Sequence, residues 1–448
     1  MTAALARPLS GWGRYPVAPC HVAMPDPAAE IGALVAAAPS LIARGNGRSY
    51  GDASLNTAAT LDMRRHDRIL AFDATTGLIT CEAGVLLSDL VACFVPQGFF
   101  PPVTPGTRFV TVGGMIASDV HGKNHHRDGS FGAHVAWLEL VVADGSLVRC
   151  GPGANENAEL FWATCGGMGL TGVIVRAAFT MTRIETGLIR QEIRRAPDID
   201  AVMAEMEASL PWTYSVAWID CLASGKNLGR SALMLGEHAG LHELDARQRQ
   251  NPLALPSGRE KAVPFDFQGF ALNRLSVSAF NALYYRAQRP GIRLVPLAPY
   301  FYPLDAIHDW NRIYGRAGFA QHQCALPLAS ARYALIALLS ETAKAGQGSF
   351  LAVLKRFGPG NPGPLSFPFE GYTLALDFPV NPTSLALMER MDRIVTDHGG
   401  RLYLAKDSRS DAALLTSGYR RLNAFRAVRD RYDPHRRFRS LLSDRLDL

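Results

Sequence analysis

The sequence lacks the features that mark membrane-spanning and disulfide-dependent proteins. No apolar run reaches about eighteen residues, the length that a membrane-spanning helix needs. Residues 1–10 contain no long apolar stretch and therefore predict no secretory signal. The seven cysteines are scattered without a Cys-x-x-Cys pair, and their odd number favours reduced thiols. These absences favour a globular protein of the cytoplasm.

Length and composition indicate a well-packed protein of two domains. The chain has 448 residues, of which 48% are hydrophobic and 19% charged. A chain of this length exceeds a single ordinary hydrophobic core. We therefore expect two domains.

Positive charge is concentrated near the C-terminal end. The formal net charge is +6, and residues 420–448 contain nine arginines against four aspartates. Such a region can contact anionic lipid headgroups or nucleic acid. It can equally form a solvated helix whose arginines pair with Asp430, Asp433 and Asp444. No interleaving of aromatic and basic residues favours nucleic acid, so we expect no nucleic-acid partner.

A glycine-rich turn ends the short apolar run that begins at Leu41. Gly45, Gly47 and Gly51 allow positive φ angles and a close backbone approach to a ligand. Consecutive N–H groups in such a turn can bind a pyrophosphate. The turn matches neither the Walker motif nor the dinucleotide fingerprint, because its spacing differs from both. On its own it is no more specific than any other turn.

A second glycine block follows about sixty residues later, over residues 104–126. Gly106 and the pair Gly113-Gly114 again allow close backbone approach. Residues 115–120 are predicted to form a short helix whose N-terminus presents free N–H groups to an anion. Two such blocks together indicate a cofactor site.

These two blocks carry a family resemblance. Residues 44–52 read Arg-Gly-x-x-Arg-Ser-Tyr-Gly-Asp, and residues 104–126 contain Thr-Pro-Gly-Thr and Asp-x-His-Gly-Lys-Asn-His-His. With Ala-Lys-Asp-Ser-Arg at 405–409, the chain resembles the FAD-binding superfamily of the vanillyl-alcohol oxidase type. Within it, the chain is similar to the family of decaprenylphosphoryl-β-D-ribose 2′-oxidases. Matching segments extend over nearly the whole sequence.

The resemblance implies an α+β fold with two domains. The FAD-binding domain is discontinuous and comprises residues 1–185 and 401–448. Residues 186–400 form the substrate-binding domain, an antiparallel sheet covered by helices on one face. Alternating apolar residues support strands there, and residues 199–210 and 383–398 predict amphipathic helices. Residues 236–268 are polar and contain three prolines, which predicts a long exposed loop.

The resemblance also implies the residues that bind FAD. In many relatives a histidine of the first glycine loop is bonded covalently to the flavin. Arg48 occupies that position here, so we expect non-covalent FAD, with Arg48 either facing a cofactor phosphate or forming an internal ion pair. The implied cofactor-binding residues are Gly45, Asn46, Gly47, Arg48, Ser49, Tyr50, Gly51, Asn56, Pro105, Gly106, Thr107, Gly113, Gly114, Ser118, His121, Gly122, Asn124, Gly172 and Tyr403.

Catalysis is expected to depend on His121 and Lys406. A histidine of near-neutral pKa can exchange protons during alcohol oxidation, and a cation at Lys406 would stabilise the anionic reduced flavin. The implied substrate-binding residues are Lys123, Trp218, Gln321, Gln323, Lys355, Thr373 and Lys406. His125 and His126 are interpreted as structural, and no metal is expected because no third ligand stands near them.

One departure from the family concerns two residues at the expected substrate site. Mycobacterial members carry a cysteine where this chain has Ala375 and an asparagine where it has Thr373. The loss of these polar groups leaves the substrate open but does not affect the flavin chemistry. The resemblance therefore implies that a cysteine at this position is not required for catalysis.

The function implied is oxidation of the C2′ hydroxyl of a polyprenyl-phosphate-linked ribose to a 2′-keto sugar, the first half of an epimerisation to arabinose. The proton acceptor is His121, Lys406 or water. A separate NAD(P)H-dependent short-chain reductase would complete the reaction, and the lipid tail implies peripheral work at the inner membrane. One alternative is an oxidase of a soluble sugar, alditol or aldonolactone such as D-arabinono-1,4-lactone. A non-enzymatic anion-binding protein is the alternative from another class.

Overall fold

A computed structural model of the chain describes residues 6–26, 29–256, 261–267 and 272–448. Two regions of sheet and helix enclose a large cavity between them. In the described ranges, no helix combines the length and apolar character needed to cross a membrane. All seven cysteines are unpaired, and all but Cys93 are buried.

The N-terminal region is built from short strands with helices between them. Its strands are β1 (Ala6–Ser10), β2 (Val17–Ala23), β3 (Ile42–Arg44), β4 (Thr60–Asp62), β5 (Ile69–Asp73), β6 (Leu78–Glu82), β7 (Phe99–Phe100), β8 (Val135–Val141), β9 (Leu147–Cys150), β10 (Val173–Thr180) and β11 (Thr182–Arg183). Its helices are α1 (Ala29–Ala37), α2 (Leu87–Phe94), α3 (Val112–Ala117), α4 (His125–Asp128) and α5 (Ala158–Thr164). The strands form sheets ordered β1-β2-β4-β3 and β5-β6-β10-β8-β9, with a small β11-β7 pair.

The central region is dominated by one antiparallel sheet. The strands of this region are β12 (Leu188–Ala196), β13 (Tyr214–Ile219), β14 (Ser231–His238), β15 (Lys261–Ala262), β16 (Gly291–Pro296), β17 (Ile307–His308), β18 (Phe319–Pro327), β19 (Val353–Phe357), β20 (Gly371–Pro379) and β21 (Arg401–Leu402). Its helices are α6 (Ile199–Ala208), α7 (Arg274–Ala287), α8 (Leu297–Phe301), α9 (Leu328–Ala345) and α10 (Pro382–Asp397). In the described chain, eight strands pair in the order β16-β12-β14-β13-β19-β20-β18-β21.

Helices cover one face of this sheet, as the sequence predicts. Apolar residues of α6, α9 and α10 form one core with the sheet side chains beneath them. In α10 the buried residues Leu387, Met388, Met391 and Val395 recur at helical spacing, and Asn381 caps the N-terminus by accepting from the Ser384 N–H. The opposite face of the sheet is left to line the cavity.

The C-terminal segment returns to the N-terminal region through α11 (Ala412–Gly418), α12 (Leu422–Tyr432) and α13 (Leu441–Leu446). The Leu41 N–H donates to the Arg437 carbonyl at 2.8 Å, and the Arg439 N–H donates to the Leu41 carbonyl at 2.9 Å. Leu442 and Leu446 are buried in the same core as α2 and α3. These contacts support the proposed division into residues 1–185 plus 401–448 and residues 186–400, whose limits stay a prediction.

The prediction of an exposed loop over residues 236–268 is wrong in part. Strand β14 continues to His238, and short 3₁₀ turns follow at Leu241–Glu243 and Gln248–Gln250. Leu244 is buried, and Leu253 and Leu255 pack against the main core, because the polar segment carries these few apolar residues at its folded turns. Residues 257–260 and 268 of this segment lie outside the described residues.

Candidate active site

A cavity of about 1000 Å³ lies between the two glycine loops and the uncovered face of the eight-stranded sheet. The N-terminal region contributes residues 43–50 and much of 104–123, and the sheet contributes Trp218, Gln321, Gln323 and Lys355. This volume is at the upper end of ligand sites, which span roughly 300–1,000 Å³. The cavity therefore has room for a large cofactor and a substrate together.

The two glycine loops touch each other at the wall of the cavity. A Cβ atom at Gly45 would lie 2.2 Å from the Thr111 Oγ1, so only glycine permits this approach. The Asn46 side-chain amide donates to the Phe109 carbonyl at 2.8 Å. The two blocks that the sequence separates by about sixty residues thus form one surface.

The first loop offers unpaired N–H groups to the cavity. Within the described part of the chain, the N–H groups of residues 46–49 donate no hydrogen bond to protein. Gly47 has a φ of +63°, and a Cβ at Gly106 would meet no atom within 4 Å. Converging N–H groups beside open space bind anions well. These residues fit the pyrophosphate of FAD.

The expectation for the helix of the second block is wrong in its bounds and in its role. Helix α3 begins at Val112 rather than at 115. The Val112 N–H donates to the Val85 carbonyl, the Gly113 N–H to the Ala83 carbonyl, and the Gly114 N–H to the Thr111 Oγ1. Because Thr111 caps the helix and the turn after β6 accepts the other two hydrogen bonds, these N–H groups are not available to an anion.

Most of the predicted cofactor-binding residues line the cavity. The lining includes Gly45, Asn46, Gly47, Arg48, Ser49, Tyr50, Pro105, Gly106, Thr107, Gly113, Gly114, Ser118, His121, Gly172 and Tyr403. The Tyr403 hydroxyl donates to the Ser118 carbonyl at 2.8 Å, which joins the C-terminal segment to the second glycine block.

Four of the predicted cofactor-binding residues lie behind the lining. A Cβ at Gly51 would lie 1.9 Å from the Asp407 carbonyl oxygen, and one at Gly122 would lie 2.4 Å from the Asn124 Oδ1. The Asn56 side chain donates to the Arg439 carbonyl at 2.8 Å, and the Asn124 side chain donates to the Pro102 carbonyl at 2.8 Å. Their observed contacts support the loops from behind, and their assignment to the cofactor stays a prediction.

Arg48 makes aromatic contacts. Its guanidinium carbon lies 4.0 Å from the centre of the Trp12 ring and 5.7 Å from that of Phe109. Burial lowers the pKa of Arg48, and the carboxylates of Asp305 and Asp309 oppose that shift. The two sequence-based alternatives for Arg48, a contact with a cofactor phosphate and an internal ion pair, did not include this stacking.

His121 is buried at the meeting point of the two regions. The Gln323 side-chain nitrogen lies 3.0 Å from the His121 Nε2, and the rings of Phe357 and Tyr403 flank the imidazole at 4.7 and 5.5 Å. Burial, and then the charge of Lys355, hold the pKa of His121 well below its ordinary value. The imidazole is therefore neutral near pH 7, with its Nε2 lone pair accepting from Gln323.

Three half-buried lysines surround the same space. Burial lowers the pKa of Lys123 to about 7, with Lys355 contributing, and lowers that of Lys355 to about 8. The Lys406 Nζ lies 3.4 Å from the centre of the Tyr50 ring, and burial lowers its pKa as well. Among the described residues, no carboxylate lies within ion-pair distance of these three ammonium groups. The cavity therefore offers cationic charge to a ligand.

Asp377 is a site residue that the sequence interpretation missed. It lies on β20 and accepts a hydrogen bond from the Gln321 side chain at 2.5 Å. Burial raises the pKa of Asp377, while hydrogen bonding from Gln321 and the charge of Lys406 lower it. The signal was available, because Thr373, Ala375 and Asp377 alternate along one strand and so share a face.

Asp119 is a second missed residue, just before the Val120-His121 segment. Its φ is +40°, rare for a residue with a side chain, and it is fully buried. Its carboxylate accepts hydrogen bonds from Ser130, Asn361 and Ser366 at 2.8, 2.6 and 2.5 Å. It thereby holds the backbone of His121 against the loop that follows β19. No local pattern in the sequence indicates this role.

The remaining predicted substrate residues also line the cavity. The Trp218 Nε1 donates to the Phe350 carbonyl at 3.1 Å, and the Gln323 amide donates to the Thr373 Oγ1 at 3.3 Å. The Trp218 ring lies 4.7 Å from that of Tyr284, which in turn lies 5.8 Å from Phe280. An aromatic path therefore leads from the buried Trp218 to the half-exposed Phe280.

The histidine pair after Lys123 has structural contacts. The His126 Nε2 lies 2.7 Å from the Trp212 carbonyl, and burial lowers the pKa of His125 to about 3. The described ranges contain no group of three histidine, cysteine or acidic side chains arranged to hold a metal ion.

Comparison with known proteins identifies similar chains. A family profile described as an FAD binding domain matches residues 19–151, and one described as D-arabinono-1,4-lactone oxidase matches residues 371–446. Decaprenylphosphoryl-β-D-ribose oxidase of Mycolicibacterium smegmatis is 38% identical over 98% of this chain and 97% of its own length. An uncharacterised protein of Streptomyces coelicolor is 37% identical over 81% of this chain and 100% of its own. L-gulonolactone oxidase of Mus musculus is 31% identical over 29% of each chain.

Proposed function

The chain belongs to the decaprenylphosphoryl-β-D-ribose oxidase family, and we propose its function from that membership. It is an FAD-dependent oxidoreductase with the two-domain fold of the vanillyl-alcohol oxidase type, as the sequence resemblance predicts. The alternative of a non-enzymatic anion-binding protein is therefore wrong. The proposed reaction is oxidation of the C2′ hydroxyl of a polyprenyl-phosphate-linked ribose to a 2′-keto sugar.

We base this proposal on the lysines of the cavity, none of which has a carboxylate within ion-pair distance among the described residues. Lys123, Lys355 and Lys406 line one cavity with His121, and each lysine is half-buried, with burial lowering its pKa. Unpaired buried charge is costly, so such groups are retained where a ligand supplies the opposite charge. A phosphodiester substrate supplies it. A neutral lactone does not.

Two loops would hold the cofactor. Residues 45–50 and 104–107 present backbone N–H groups and glycine surfaces to the cavity, and Tyr403 closes the wall between the domains. When bound, FAD supplies the oxidising equivalents by accepting two electrons from the CH–OH group of the substrate. No histidine stands where relatives form a covalent link, since that position is Arg48.

Lys406 is the proposed proton acceptor. Burial lowers the pKa of Lys406, so its neutral amine is accessible near pH 7, whereas the Nε2 of His121 already accepts from Gln323. An ammonium formed at Lys406 is stabilised by Asp377, the carboxylate that opposes the lowering of its pKa. His121 then orients the substrate hydroxyl together with Gln323.

Lys355 is the proposed contact of the substrate phosphate. It projects from β19 into the cavity, and burial is the cause of its lowered pKa. Lys123 is held differently: its ammonium donates to the Tyr300 carbonyl and lies 4.1 Å from the centre of that ring. Thr373 and Ala375 line the cavity from β20, the strand paired with that of Lys355.

The proposed function also involves a second enzyme and a membrane surface. Completion of an epimerisation requires a reductase that uses NAD(P)H on the keto sugar, and we propose a separate enzyme for that step. A substrate with a polyprenyl tail stays in the bilayer, so the enzyme works peripherally at a membrane surface.

Product analysis tests this function. The enzyme is incubated with polyprenyl-phosphoryl ribose, tail-free ribosyl phosphate and D-arabinono-1,4-lactone, and the products are identified by mass spectrometry. We expect a product lighter by two hydrogens from the lipid-linked ribose, with the new carbonyl at C2′. The profile match over residues 371–446 favours the lactone as the second candidate. Turnover of the lactone alone would establish that alternative.

Acid precipitation tests how the cofactor is held. Because Arg48 replaces the linking histidine, precipitation of the yellow protein is expected to release all FAD into the supernatant. Flavin that stays with the pellet would contradict non-covalent binding.

A further inference from the structure

Helix α7 buries Val277 but turns three large apolar side chains to solvent. Leu275, Phe280 and Leu283 are 82%, 44% and 68% exposed. On the inner face, Asn281 is buried and donates to Asp220 at 2.8 Å. An amphipathic helix of a globular protein normally turns a polar face to solvent, so the apolar outer face of α7 is unusual.

The neighbouring edge strand extends this apolar face and makes it basic. Strand β16 is the outermost strand of the eight described in the main sheet, and its Ile292 is 64% exposed. Residues 267–304 contain Arg274, Arg286, Arg289 and Arg293 and no aspartate or glutamate. Exposed leucine and phenylalanine combined with arginine characterise helices that lie in the surface of an anionic bilayer.

This face borders the mouth of the cavity. Phe280, Tyr284 and Arg293 line the cavity, while Leu275 and Leu283 on the same helix do not. The aromatic path from Trp218 through Tyr284 therefore ends at α7.

We propose that α7 and β16 form a docking surface for an anionic lipid bilayer, placed so that a lipid-linked substrate enters the cavity with its tail still in the membrane. The charge complementarity and the outward apolar stripe favour a lipid surface over an aqueous protein partner. The inference deepens the proposed function and rests on it for the substrate, but the lipid contact is measurable without turnover.

Vesicle flotation tests the surface. Wild-type enzyme is floated with vesicles of equimolar phosphatidylglycerol and phosphatidylcholine, and with phosphatidylcholine alone. The test variant combines Leu275→Glu with Leu283→Glu, and the matched control is Leu147→Glu, which changes a leucine that is 53% exposed on β9. We expect binding to anionic vesicles to fall at least about tenfold in the double variant and to be unchanged in the control.

A charge-reversal variant separates the electrostatic contribution to vesicle binding from the apolar one. Each arginine near an anionic surface strengthens binding about fivefold, so Arg286→Glu with Arg289→Glu is expected to abolish the preference for anionic vesicles. Turnover of tail-free ribosyl phosphate is expected to be equal in wild type and both double variants, because none of the four residues lines the cavity.

The outcomes distinguish this inference from the proposed function. Flotation that is lost in the double variant supports the surface even if the lipid-linked ribose proves not to be the substrate. Wild-type enzyme that does not float with anionic vesicles would overturn the inference. Flotation unchanged in the double variant would also overturn it, because the apolar face of α7 would then not contact the lipid.

Discussion

Two basic regions of this molecule use their charge in opposite ways. Arginines of the C-terminal segment are paired: Arg445 contacts Asp52 and Asp407 at 2.8 and 2.9 Å, and Arg437 donates to carbonyl groups at the end of α1. The lysines of the cavity have no carboxylate at ion-pair distance among the described residues. Paired charge holds the fold together, whereas unpaired buried charge is available to a ligand.

This contrast decides between the two interpretations of the arginine-rich tail. Arg436 pairs with Asp430, Arg439 with Asp444, and Arg431 with Glu159 outside the segment. Arg429 is fully buried and donates to the Leu170 and Phe438 carbonyls. The ion-paired helix is therefore the better description of the tail, and the membrane contact is proposed at α7 instead.

Breaking the paired region should have the largest effect. Arg445→Met leaves the buried carboxylates of Asp52 and Asp407 without their partner, so we expect the free energy of unfolding to fall by about 3 to 5 kcal/mol. Urea denaturation monitored by circular dichroism measures it. A loss under about 1 kcal/mol would show that the two pairs contribute little.

Breaking the unpaired region should affect chemistry and leave stability intact. Lys406→Met removes the proposed proton acceptor, so anaerobic reduction of the bound flavin should slow by at least about tenfold, or roughly 1.4 kcal/mol in the barrier. The visible spectrum of the oxidised enzyme should be retained. Rapid-mixing absorbance measures the rate, and reduction at the wild-type rate would refute the role of Lys406.

Lys355 should make substrate binding depend on pH. The pKa of Lys355 is about 8 in the free enzyme, and a bound phosphate raises it, so binding takes up a proton above that pH. The dissociation constant of the lipid-linked substrate should therefore increase about fivefold from pH 8 to 9. Lys355→Met should bind more weakly and lose this dependence. A wild-type constant that is flat over this range would contradict a phosphate contact.

An exposed pair of the tail should show the smallest effect. Arg431 and Glu159 are 65% and 69% exposed, and pairs of this kind contribute about 0 to 1 kcal/mol. Arg431→Gln should change neither stability by more than this nor binding to anionic vesicles. Loss of vesicle binding in this variant would indicate that the C-terminal segment contacts the membrane.

Local patterns predicted much of the fold. Helix α6 was predicted to start at Ile199, where it does, and α10 was predicted over residues 383–398 against the observed Pro382–Asp397, because helical spacing depends on neighbouring residues alone. The start of α3 was missed, since it depends on the cap at Thr111 and on backbone partners in another segment.

The site was predictable where a motif carried it and hidden where distant contacts create it. The resemblance brought His121, Lys123, Lys355 and Lys406 into consideration, and the structure places all four at one cavity. Asp119 acquires its role from Asn361 and Ser366, more than two hundred residues away. The outward face of α7 was equally hidden, because composition does not say which side of a helix meets solvent.

The lysines of the cavity are proposed to receive the phosphate of a lipid-linked ribose. The most direct measurement is an anaerobic titration of flavin absorbance with polyprenyl-phosphoryl ribose and with the same riboside lacking the phosphate. We expect bleaching by the phosphorylated substrate, with at least about tenfold weaker binding when the phosphate is absent or when Lys355 is methionine. Equal bleaching by both compounds, with affinity unchanged in Lys355→Met, would contradict it.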